Sequence, residues 1–538
     1  MSQNLDLGIT GMTCEHCART VEKALRAVPG VLAAEVSWPE RRARIQASAD
    51  LDPAALGRAV TAAGYGIGDG DYHGGSLHVA IIGSGSAAFA AALRLVEGGA
   101  RVTMIEAGTL GGTCVNVGCV PSKIFIRAAQ TAHILQAHPV AGLEHHRSRV
   151  DRRAMQAQQQ ARVEALRQAK YQRVLEVHPQ ITLRRGRARF LDRQHLEIAD
   201  GSGRKDVVSA DRVLIATGSR PAIPPIRGLD QTPYWTSTEA LAATEIPRRL
   251  LVIGASIVAL ELAQAFARLG SSVTILARST LLSQLDSEIG KALKTILEGE
   301  GLDIRLHSQP DSVHYRDGQF HTRLGEADLI SDALLVATGR RANTDDLGLE
   351  ALGVACNAQG AIAVDSAMRS TVAGIFAAGD CSTLPQYVYV AAAAGTRAAV
   401  NMLGGDAQLD LAVLPAVVFT DPQVATVGLD EKAARAAGHR VTVRRLNLDQ
   451  VPRALANFDT RGFIKMVADA DTDRLLGVQV LAAEGGELIQ TAAVALRAGW
   501  RIEDLASMLF PYLTMVEGLK LCAQTFTKDV SELSCCAG

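Results

Sequence analysis

The stretch Gly111-Gly-Thr-Cys114-Val-Asn-Val-Gly-Cys119-Val-Pro-Ser-Lys123 contains two cysteines separated by four residues, with glycines before them and Pro-Ser-Lys after them. Cysteines at this spacing can form a disulfide across one helical turn, and the start of a helix favours a thiolate through its dipole and its N–H groups. The stretch is therefore a candidate redox site. For a bare C-x4-C pair, the alternative is two buried structural cysteines.

The residues around the pair favour the redox interpretation. The complete string resembles the active-site segment of the class I pyridine nucleotide-disulfide oxidoreductases, which are flavin-dependent enzymes. This resemblance implies FAD and a nicotinamide cofactor, a homodimer, and a redox-active pair formed by Cys114 and Cys119. In that family the positions matched by Lys123 and Glu261 pair beside the flavin and the nicotinamide.

Composition and charge narrow the possible partners. The 538 residues carry a formal net charge of −1, so no basic field exists to attract nucleic acid or an anionic membrane. The apolar stretches are too short to span a bilayer, and the first residues lack the pattern of a secretory signal. We therefore expect a cytoplasmic protein that acts on small molecules, without nucleic-acid binding or membrane insertion.

A dinucleotide-binding fingerprint precedes the cysteines. A β-rich run, Leu77 to Ile82, leads into Gly83-Ser-Gly85-Ser-Ala-Ala88 and an alanine-rich helix, and the next strand ends in Glu106. Glycines let the backbone approach a pyrophosphate, and a carboxylate at this position holds ribose hydroxyls. The family resemblance assigns this fold to FAD. The residues expected to contact the cofactor in this part of the chain are Gly83, Gly85, Ala88, Glu106, Gly112, Thr113, Lys123, Thr217, Gly218 and Asp380.

The fingerprint repeats later in the chain with two departures. The second copy reads Gly254-Ala-Ser256, with serine in place of the middle glycine, and Gly339 belongs to a motif that resembles the family's crossover between the folds. Its second strand is followed by Ala277-Arg278 instead of a carboxylate, which removes a charge that would repel a 2′-phosphate and adds one that attracts it. We therefore expect NADPH rather than NADH. A solvated surface arginine is the alternative for Arg278.

The first part of the chain predicts a separate metal-binding module. Residues 3 to 68 alternate strands and helices in the order βαββαβ, and the first loop carries Gly-Met-Thr-Cys14-Glu-His-Cys17. This pattern resembles the heavy-metal-associated domains. Two thiolates on a loop suit a soft ion such as Cu(I) or Hg(II), so Cys14 and Cys17 are the predicted metal ligands. The alternative is a thioredoxin-like redox pair, whose longer βαβ context is absent.

The carboxyl end indicates which substrate is reduced. Disulfide reductases of the family carry a His-Pro-x-x-x-Glu segment whose histidine serves as acid and base for a thiol, whereas this chain has Phe510-Pro511-Tyr512 and a displaced Glu517. A metal ion needs no thiol to be protonated. The chain ends in Ser-Cys535-Cys536-Ala-Gly, and adjacent cysteines are well placed to chelate a thiophilic ion. A chance pair at a frayed terminus is the alternative.

The combination of these motifs resembles the mercuric reductases within the class I family. The resemblance implies reduction of Hg(II) to Hg(0), with Tyr171 and Tyr512 near the metal and Cys535 and Cys536 delivering Hg(II) to the inner pair from the other subunit of a homodimer. A general disulfide or dihydrolipoamide oxidoreductase with an attached metal module, and a metal-buffering protein, remain the alternatives. The other three cysteines are interpreted as small buried residues: Cys356, Cys381 and Cys522.

The expected fold class is α/β, with two Rossmann-like domains and an α+β dimerisation domain behind a ferredoxin-like βαββαβ module. Residues 151 to 177 are predicted to form one solvated helix. The predicted divisions are a metal-binding domain 1–68, a linker 69–75, an FAD domain 76–222 and 345–412, an NADPH domain 223–344, a dimerisation domain 413–526 and a tail 527–538.

Overall fold

The computed structural model describes residues 2–12, 14–40, 42–48, 51, 53–68, 77–146 and 149–530. The chain forms two compact units. The first unit contains Met1–Cys114, Leu166–Arg220 and Arg341–Leu409. The second contains Val115–Ala165, Pro221–Arg340 and Asp410–Gly538. The predicted linker 69–75 and the tail cysteines Cys535 and Cys536 lie outside the described residues.

The leading module has the predicted βαββαβ order. Its sheet is antiparallel with strand order β2-β3-β1-β4. Three apolar residues that recur at helical spacing, Val21, Leu25 and Val28, are all buried in its core. The elements are β1 (Ser2–Thr10), α1 (Glu15–Arg26), β2 (Val31–Ser37), β3 (Arg42–Ser48), α2 (Pro53–Ala62) and β4 (Gly66–Gly68).

The first dinucleotide fold is a parallel sheet in the order β7-β6-β5-β11-β21, which is the 3-2-1-4-5 order of a Rossmann fold. Alanine-rich α3 packs closely on α12, where a Cβ at Gly395 would lie 2.1 Å from the Ala87 oxygen. Small side chains are therefore required at this contact. The elements are β5 (His78–Ile82), α3 (Ser86–Glu97), β6 (Arg101–Glu106), α4 (Gly112–Val117), α5 (Cys119–Ala137), α6 (Arg152–Arg167), α7 (Arg173–Val177), β7 (Ile181–Arg185), β8 (Arg187–Phe190), β9 (His195–Ala199), β10 (Lys205–Ser209), β11 (Arg212–Ile215), β12 (Ser219–Pro221), then after the second fold α11 (Leu349–Leu352), β21 (Ile375–Ala377) and α12 (Val388–Met402).

The helix predicted at 151 to 177 is interrupted. A π-helical segment, Gln168–Gln172, separates α6 from α7 and contains Tyr171. The helix is also only partly solvated, because Arg152, Gln159 and Val163 are buried. Arg152 donates to the Leu241 carbonyl at 2.7 Å, and burial lowers its pKa to about 10. The sequence pattern therefore predicted the helix but not its interruption or its buried polar face.

The second dinucleotide fold has a parallel sheet in the order β15-β14-β13-β19, flanked by an antiparallel sheet of β16, β17 and β18. β13 ends directly before Gly254 and β14 ends directly before Ala277, as the repeated fingerprint predicts. The elements are α8 (Ser237–Ala242), β13 (Arg249–Ile253), α9 (Ile257–Arg268), β14 (Ser272–Leu276), α10 (Ser287–Gly299), β15 (Asp303–Arg305), β16 (Ser312–Arg316), β17 (Gln319–Leu324), β18 (Ala327–Ser331), β19 (Ala333–Val336) and β20 (Arg340–Ala342).

The last part of the described chain is an antiparallel sheet in the order β22-β23-β26-β25-β24, with helices packed on it. This confirms the α+β class that was expected for a dimerisation domain. The elements are β22 (Ala416–Val418), β23 (Gln423–Gly428), α13 (Glu431–Ala436), β24 (Val441–Asn447), α14 (Pro452–Ala456), β25 (Phe463–Asp469), β26 (Leu475–Ala482), α15 (Gly485–Arg497), α16 (Ile502–Ser507) and α17 (Glu517–Gln524).

The prediction for the three single cysteines is correct for two of them. Cys381 and Cys522 are fully buried, and burial raises the pKa of both thiols. Cys356 is exposed, so the prediction of a buried residue is wrong there. It lies outside the helices and strands, and its backbone pairs with that of Ile362 in an isolated bridge. Within the described ranges, no helix combines the length and the hydropathy that crossing a bilayer requires.

A buried ion pair joins α10 to β25 and yields a stability prediction. The Lys465 side chain is 4% exposed and its Nζ lies 2.8 Å from Asp286, which is 8% exposed. We expect Lys465→Met to lower the free energy of unfolding by about 3 kcal/mol, because it leaves a buried carboxylate without its counter-charge. Urea denaturation measures this loss.

The matched control is Arg435→Met, which removes an exposed pair with Glu431 within α13. We expect this change to cost less than about 0.5 kcal/mol, since exposed pairs four residues apart on a helix contribute little. Equal losses in the two variants would contradict the assignment of a buried pair.

Candidate functional site

The redox stretch folds into two consecutive helices instead of one. Cys114 lies half-buried in α4, Gly118 separates the helices, and Cys119 is the exposed first residue of the 19-residue α5. The N-terminus of a helix stabilises a thiolate through its dipole and unbonded N–H groups. Cys119 occupies this N-terminal position in α5.

Lys123 and Glu261 are brought together as predicted. Lys123 lies one turn after Cys119 in α5, and its Nζ donates to Glu261 Oε2 at 2.6 Å. Glu261 is 4% exposed and its other oxygen accepts the Phe419 N–H at 2.8 Å. The Phe419 ring also lies under the ammonium, 4.5 Å from Nζ to the ring centroid. The ammonium is thus held by a carboxylate and an aromatic face together.

The glycines of the first fingerprint approach neighbouring backbone too closely for any side chain. A Cβ at Gly83, where φ is +112°, would lie 2.3 Å from the Ala216 oxygen. Gly112 has a φ of +67°, and a Cβ there would lie 2.7 Å from Gly85 Cα. The start of α4 therefore contacts the backbone of the turn that is predicted to bind phosphate. Such a bare backbone at the start of α3 fits a pyrophosphate.

Ser84 joins this turn to Glu106 and was missed by the sequence analysis. Its hydroxyl donates to Glu106 Oε2 at 2.5 Å and accepts the Gly111 N–H at 3.2 Å, while Glu106 Oε1 accepts the Gly108 N–H at 2.6 Å. The chain thereby fixes the carboxylate that was predicted to hold ribose hydroxyls. In the sequence, Ser84 is only one serine within a glycine-rich turn, and nothing in the motif marks it as a partner of Glu106.

The remaining residues predicted to contact FAD differ from one another in burial and in hydrogen bonding. Asp380 Oδ2 accepts from the Ser219 hydroxyl at 2.9 Å, and the Thr217 carbonyl accepts from the Asn343 side chain at 3.0 Å. Gly218 has φ of +68°, a backbone conformation that glycine adopts readily. Ala88 is fully buried in α3, whereas Thr113 is exposed in α4.

The contacts of the second fingerprint show why Ser256 can replace the middle glycine. A Cβ at Gly254 would lie 2.2 Å from the Ala337 oxygen, so this glycine is required, whereas Ser256 is the N-cap of α9 and its hydroxyl donates to that same oxygen at 3.0 Å. Gly339 has φ of +120° with open space around it. Arg278 is exposed two residues beyond β14. These residues fit a dinucleotide, with a cation placed where a 2′-phosphate is expected.

The two cysteines of the leading module lie together at the start of α1. Cys14 is the N-cap and its sulfur is 3.6 Å from that of Cys17, which is longer than a disulfide bond of about 2 Å. Tyr65 hydrogen-bonds to Cys17, and this bond raises the pKa of the tyrosine. Tyr65 was not among the residues predicted for the metal site, because only folding brings the end of the module to its first loop. Together these groups suit a thiophilic ion.

The segment Phe510–Glu517, in which the sequence predicts no acid–base histidine, packs on the C-terminal sheet and is stabilised by a hydrogen bond within its own loop. Phe510 packs against the core of the C-terminal sheet, and Tyr512 is 53% exposed. Glu517 is 8% exposed and accepts the Leu513 N–H at 3.1 Å, so the displaced glutamate fixes the local loop. In the described ranges, the structure shows no cluster of three or more His, Cys, Asp or Glu side chains arranged to hold a metal ion.

Tyr171 belongs to the first unit and packs on the first dinucleotide fold. Its ring meets Phe89 of α3 edge-on, with centroids 4.9 Å apart. A π-helical turn frequently occurs at a functional site, which is compatible with the predicted role near the metal. That role, and the roles of Cys535 and Cys536 outside the described residues, stay predictions.

Three family models match successive parts of this chain. Residues 77–395 match the pyridine nucleotide-disulphide oxidoreductase family, residues 414–523 match the dimerisation domain of that family, and residues 7–66 match the heavy-metal-associated domain. The mercuric reductase of Acidithiobacillus ferrooxidans is 56% identical over 540 residues, covering 99% of each chain. The mercuric reductase of Shigella flexneri is 55% identical, over 99% of this chain and all of that protein.

This chain belongs to the mercuric reductase family. Among solved structures, the HOCl-induced flavoprotein disulfide reductase RclA from Escherichia coli is similar, with a TM-score of 0.76 and 30% identity over 84% of this chain and 100% of that one. The predicted family, the fold class, the activity of an NADPH-dependent oxidoreductase, and FAD and NADPH as the cofactors of a mercuric reductase are confirmed. The dimerisation domain supports a homodimer.

The contact between Gly112 and Gly85 gives a prediction for this mercuric reductase family member. We expect Gly112→Ala to weaken FAD binding about tenfold or more, because the new methyl group displaces the turn that receives the pyrophosphate. The measurement is the ratio of flavin absorbance to protein after purification and after dialysis.

Gly99→Ala is the control for this substitution. Gly99 also has positive φ, +80°, but a Cβ at this position would have no atom within 4 Å. The substitution therefore carries a similar backbone cost of about 1–2 kcal/mol without the clash. If both variants kept full flavin, the close approach would not be needed for cofactor binding.

Proposed function

We propose that this chain reduces Hg(II) to elemental mercury at the expense of NADPH, with the balance Hg²⁺ + NADPH → Hg⁰ + NADP⁺ + H⁺. FAD and NADPH, when bound, supply the two electrons. The observation that carries the proposal is the identity above 50% to mercuric reductases over essentially the whole chain, including both the metal module and the redox stretch. The product has little affinity for thiolate and leaves.

The segment Phe510–Glu517 supports a metal substrate over a disulfide. Cleaving an organic disulfide requires a proton for the thiol that leaves, and in the disulfide reductases a histidine supplies it. Here the position is occupied by Phe510, which is partly buried against the core, and Glu517 accepts a hydrogen bond from the Leu513 N–H. Hg(II) needs electrons and sulfur ligands but no such proton.

The residues of the redox stretch have complementary roles in this proposal. Cys114 and Cys119 hold Hg(II) as thiolates, with Cys119 as the inner ligand nearest the flavin and Cys114 as the outer, exchanging ligand. Lys123, held by Glu261 and by the Phe419 ring, keeps a fixed positive charge one turn from Cys119. A nearby cation favours the thiolate form that binds mercury.

Delivery of the metal completes the proposal. Hg(II) arrives bound to small thiols or to Cys14 and Cys17, passes to Cys535 and Cys536 on the tail of the other subunit, and is exchanged onto the inner pair near Tyr171 and Tyr512. The active site is thus shared within a homodimer. We place the protein in the cytoplasm, where thiols remain reduced and NADPH is available. The domain boundaries given above are part of this proposal.

The first test is NADPH oxidation by the purified protein with Hg(II) and excess small thiol, while mercury vapour is trapped from a gas stream. We expect one elemental mercury for each NADPH consumed, and little NADPH oxidation with glutathione disulfide, because the thiol-protonating histidine is replaced by Phe510. NADPH consumption without vapour, or only with disulfide, would show that the cysteine pairs bind metal for another purpose.

The tail cysteines are tested by changing both Cys535 and Cys536 to Ala. We expect turnover to fall about tenfold or more with a bulky thiol complex of Hg(II), since direct ligand exchange with the inner pair is then hindered, and to fall less with mercuric bromide. Steady-state NADPH oxidation with the two substrates measures this. The exposed thiol Cys356, changed to Ala, is the control. Equal turnover of the double variant and the control on the bulky complex would remove the relay from the mechanism.

A further inference from the structure

Three polar side chains lie along one face of α9 and are all buried. Glu261, Gln264 and Arg268 are spaced three and four residues apart, and they are 4%, 3% and 8% exposed. This spacing places them in one row on the helix surface. Burying polar groups is unfavourable unless each is hydrogen-bonded. The row therefore needs a partner of matching polarity along its whole length.

The partner is one short backbone segment, residues 419–421. The Phe419 N–H donates to Glu261 at 2.8 Å, and the Asp421 N–H donates to Gln264 Oε1 at 2.8 Å. In return, the Gln264 amide donates to the Asp421 carbonyl at 2.7 Å. Arg268 Nη1 donates to the Asp421 carboxylate at 2.7 Å. Every residue of the row thus contacts the same three-residue segment.

The far end of the row is fixed by charge. The Arg268 guanidinium also makes a two-point contact with Glu300, from Nε at 2.9 Å and from Nη2 at 2.7 Å. Arg461 donates to the same Glu300 at 3.0 Å. The paired fork is a directional contact, and its charges compensate one another away from water. Asp421 therefore has a rigid anchor.

At the near end of the row, Glu261 contacts Lys123, the cation of the redox stretch. Glu261 accepts from Lys123, and the Phe419 ring lies under the same ammonium. A shift of segment 419–421 would move both the N–H that bonds Glu261 and the ring beneath Lys123. The position of Lys123 is consequently coupled to contacts made two helical turns away along α9.

We infer that Gln264 and Arg268 are positioning residues, which hold segment 419–421 against α9 so that Glu261 and Phe419 keep Lys123 in place beside the nicotinamide and flavin. Neither residue was among the predicted site residues. The inference deepens the proposed function and rests on it for the role of Lys123. It makes a structural prediction about segment 419–421 that holds whatever the final electron acceptor is.

The test compares Gln264→Met and Arg268→Met with Lys465→Met. The third variant removes a buried cation from the same unit, but Lys465 pairs with Asp286 and Glu288 and not with segment 419–421. Hydrogen exchange of the amides of residues 416–424 is measured on the full-length protein by mass spectrometry. We expect the amides of residues 416–424 to gain about tenfold in exchange rate relative to other buried amides of the same unit in the first two variants, because the Asp421 N–H loses its acceptor or the support of that acceptor. In the third variant we expect no such selective gain, since its lower stability affects all these amides alike.

The second readout is the single-turnover rate of flavin reduction at saturating NADPH without any mercury, together with the unfolding midpoint. We expect this rate to fall about tenfold or more in Gln264→Met and Arg268→Met and to stay unchanged in Lys465→Met. Because no metal is present, the result is independent of whether Hg(II) is the substrate. Arg268→Lys, which keeps the charge and loses the fork, is expected to lie between wild type and Arg268→Met.

Two results would overturn the inference. One is faster exchange in residues 416–424 with an unaltered rate of flavin reduction, which would make the row a purely structural clamp. The other is an equal slowing in Lys465→Met at a similar loss of stability. If Arg268→Met does not fold, Gln264→Met and Arg268→Lys decide the question alone.

Discussion

A buried carboxylate organises the centre of the second unit. Glu261 is 4% exposed, and a carboxylate removed from water is tolerated only when both oxygens have strong partners. Its partners come from distant parts of the chain, the Lys123 ammonium of α5 and the Phe419 N–H beyond β22. The need to satisfy one side chain therefore fixes the helix that begins with Cys119, the second dinucleotide fold and the C-terminal sheet against one another.

Both described cysteine pairs use the same physical device. Cys14 is the N-cap of α1 and Cys119 is the first residue of α5, so each pair places a sulfur at the N-terminus of a helix. Unbonded N–H groups there stabilise negative charge without burying it. Cys14 and Cys119 are also both exposed, so their sulfurs are not sequestered in the core. The heavy-metal-associated module and the redox stretch, which belong to unrelated folds, thus both place a cysteine at the start of a helix.

The replacement of the family's histidine changes more than one residue. Phe510 adds an apolar side chain to the core, and Glu517, shifted along the segment, accepts the Leu513 N–H where that residue has a φ of +63°. In this chain the segment therefore contributes packing through Phe510 and loop support through Glu517. Tyr512 stays 53% exposed next to these residues. The chemistry of the segment is consistent with a substrate that takes electrons and leaves without a proton.

The sequence by itself determined the elements and the chemistry that depend on neighbouring residues. The βαββαβ module, both glycine turns and the cysteine pairs follow from the periodicity and spacing of residues close in sequence, whereas the close approaches of Gly83 to Ala216 and of Gly254 to Ala337 arise only on folding. Only the tertiary structure decided the roles of Ser84, Tyr65, Gln264 and Arg268, the exposure of Cys356 and the π-helical turn at 168–172. The partners of these four side chains lie well away in sequence, and no local pattern specifies which distant group a polar side chain will meet. Hydrogen bonds and ion pairs formed on packing make that choice.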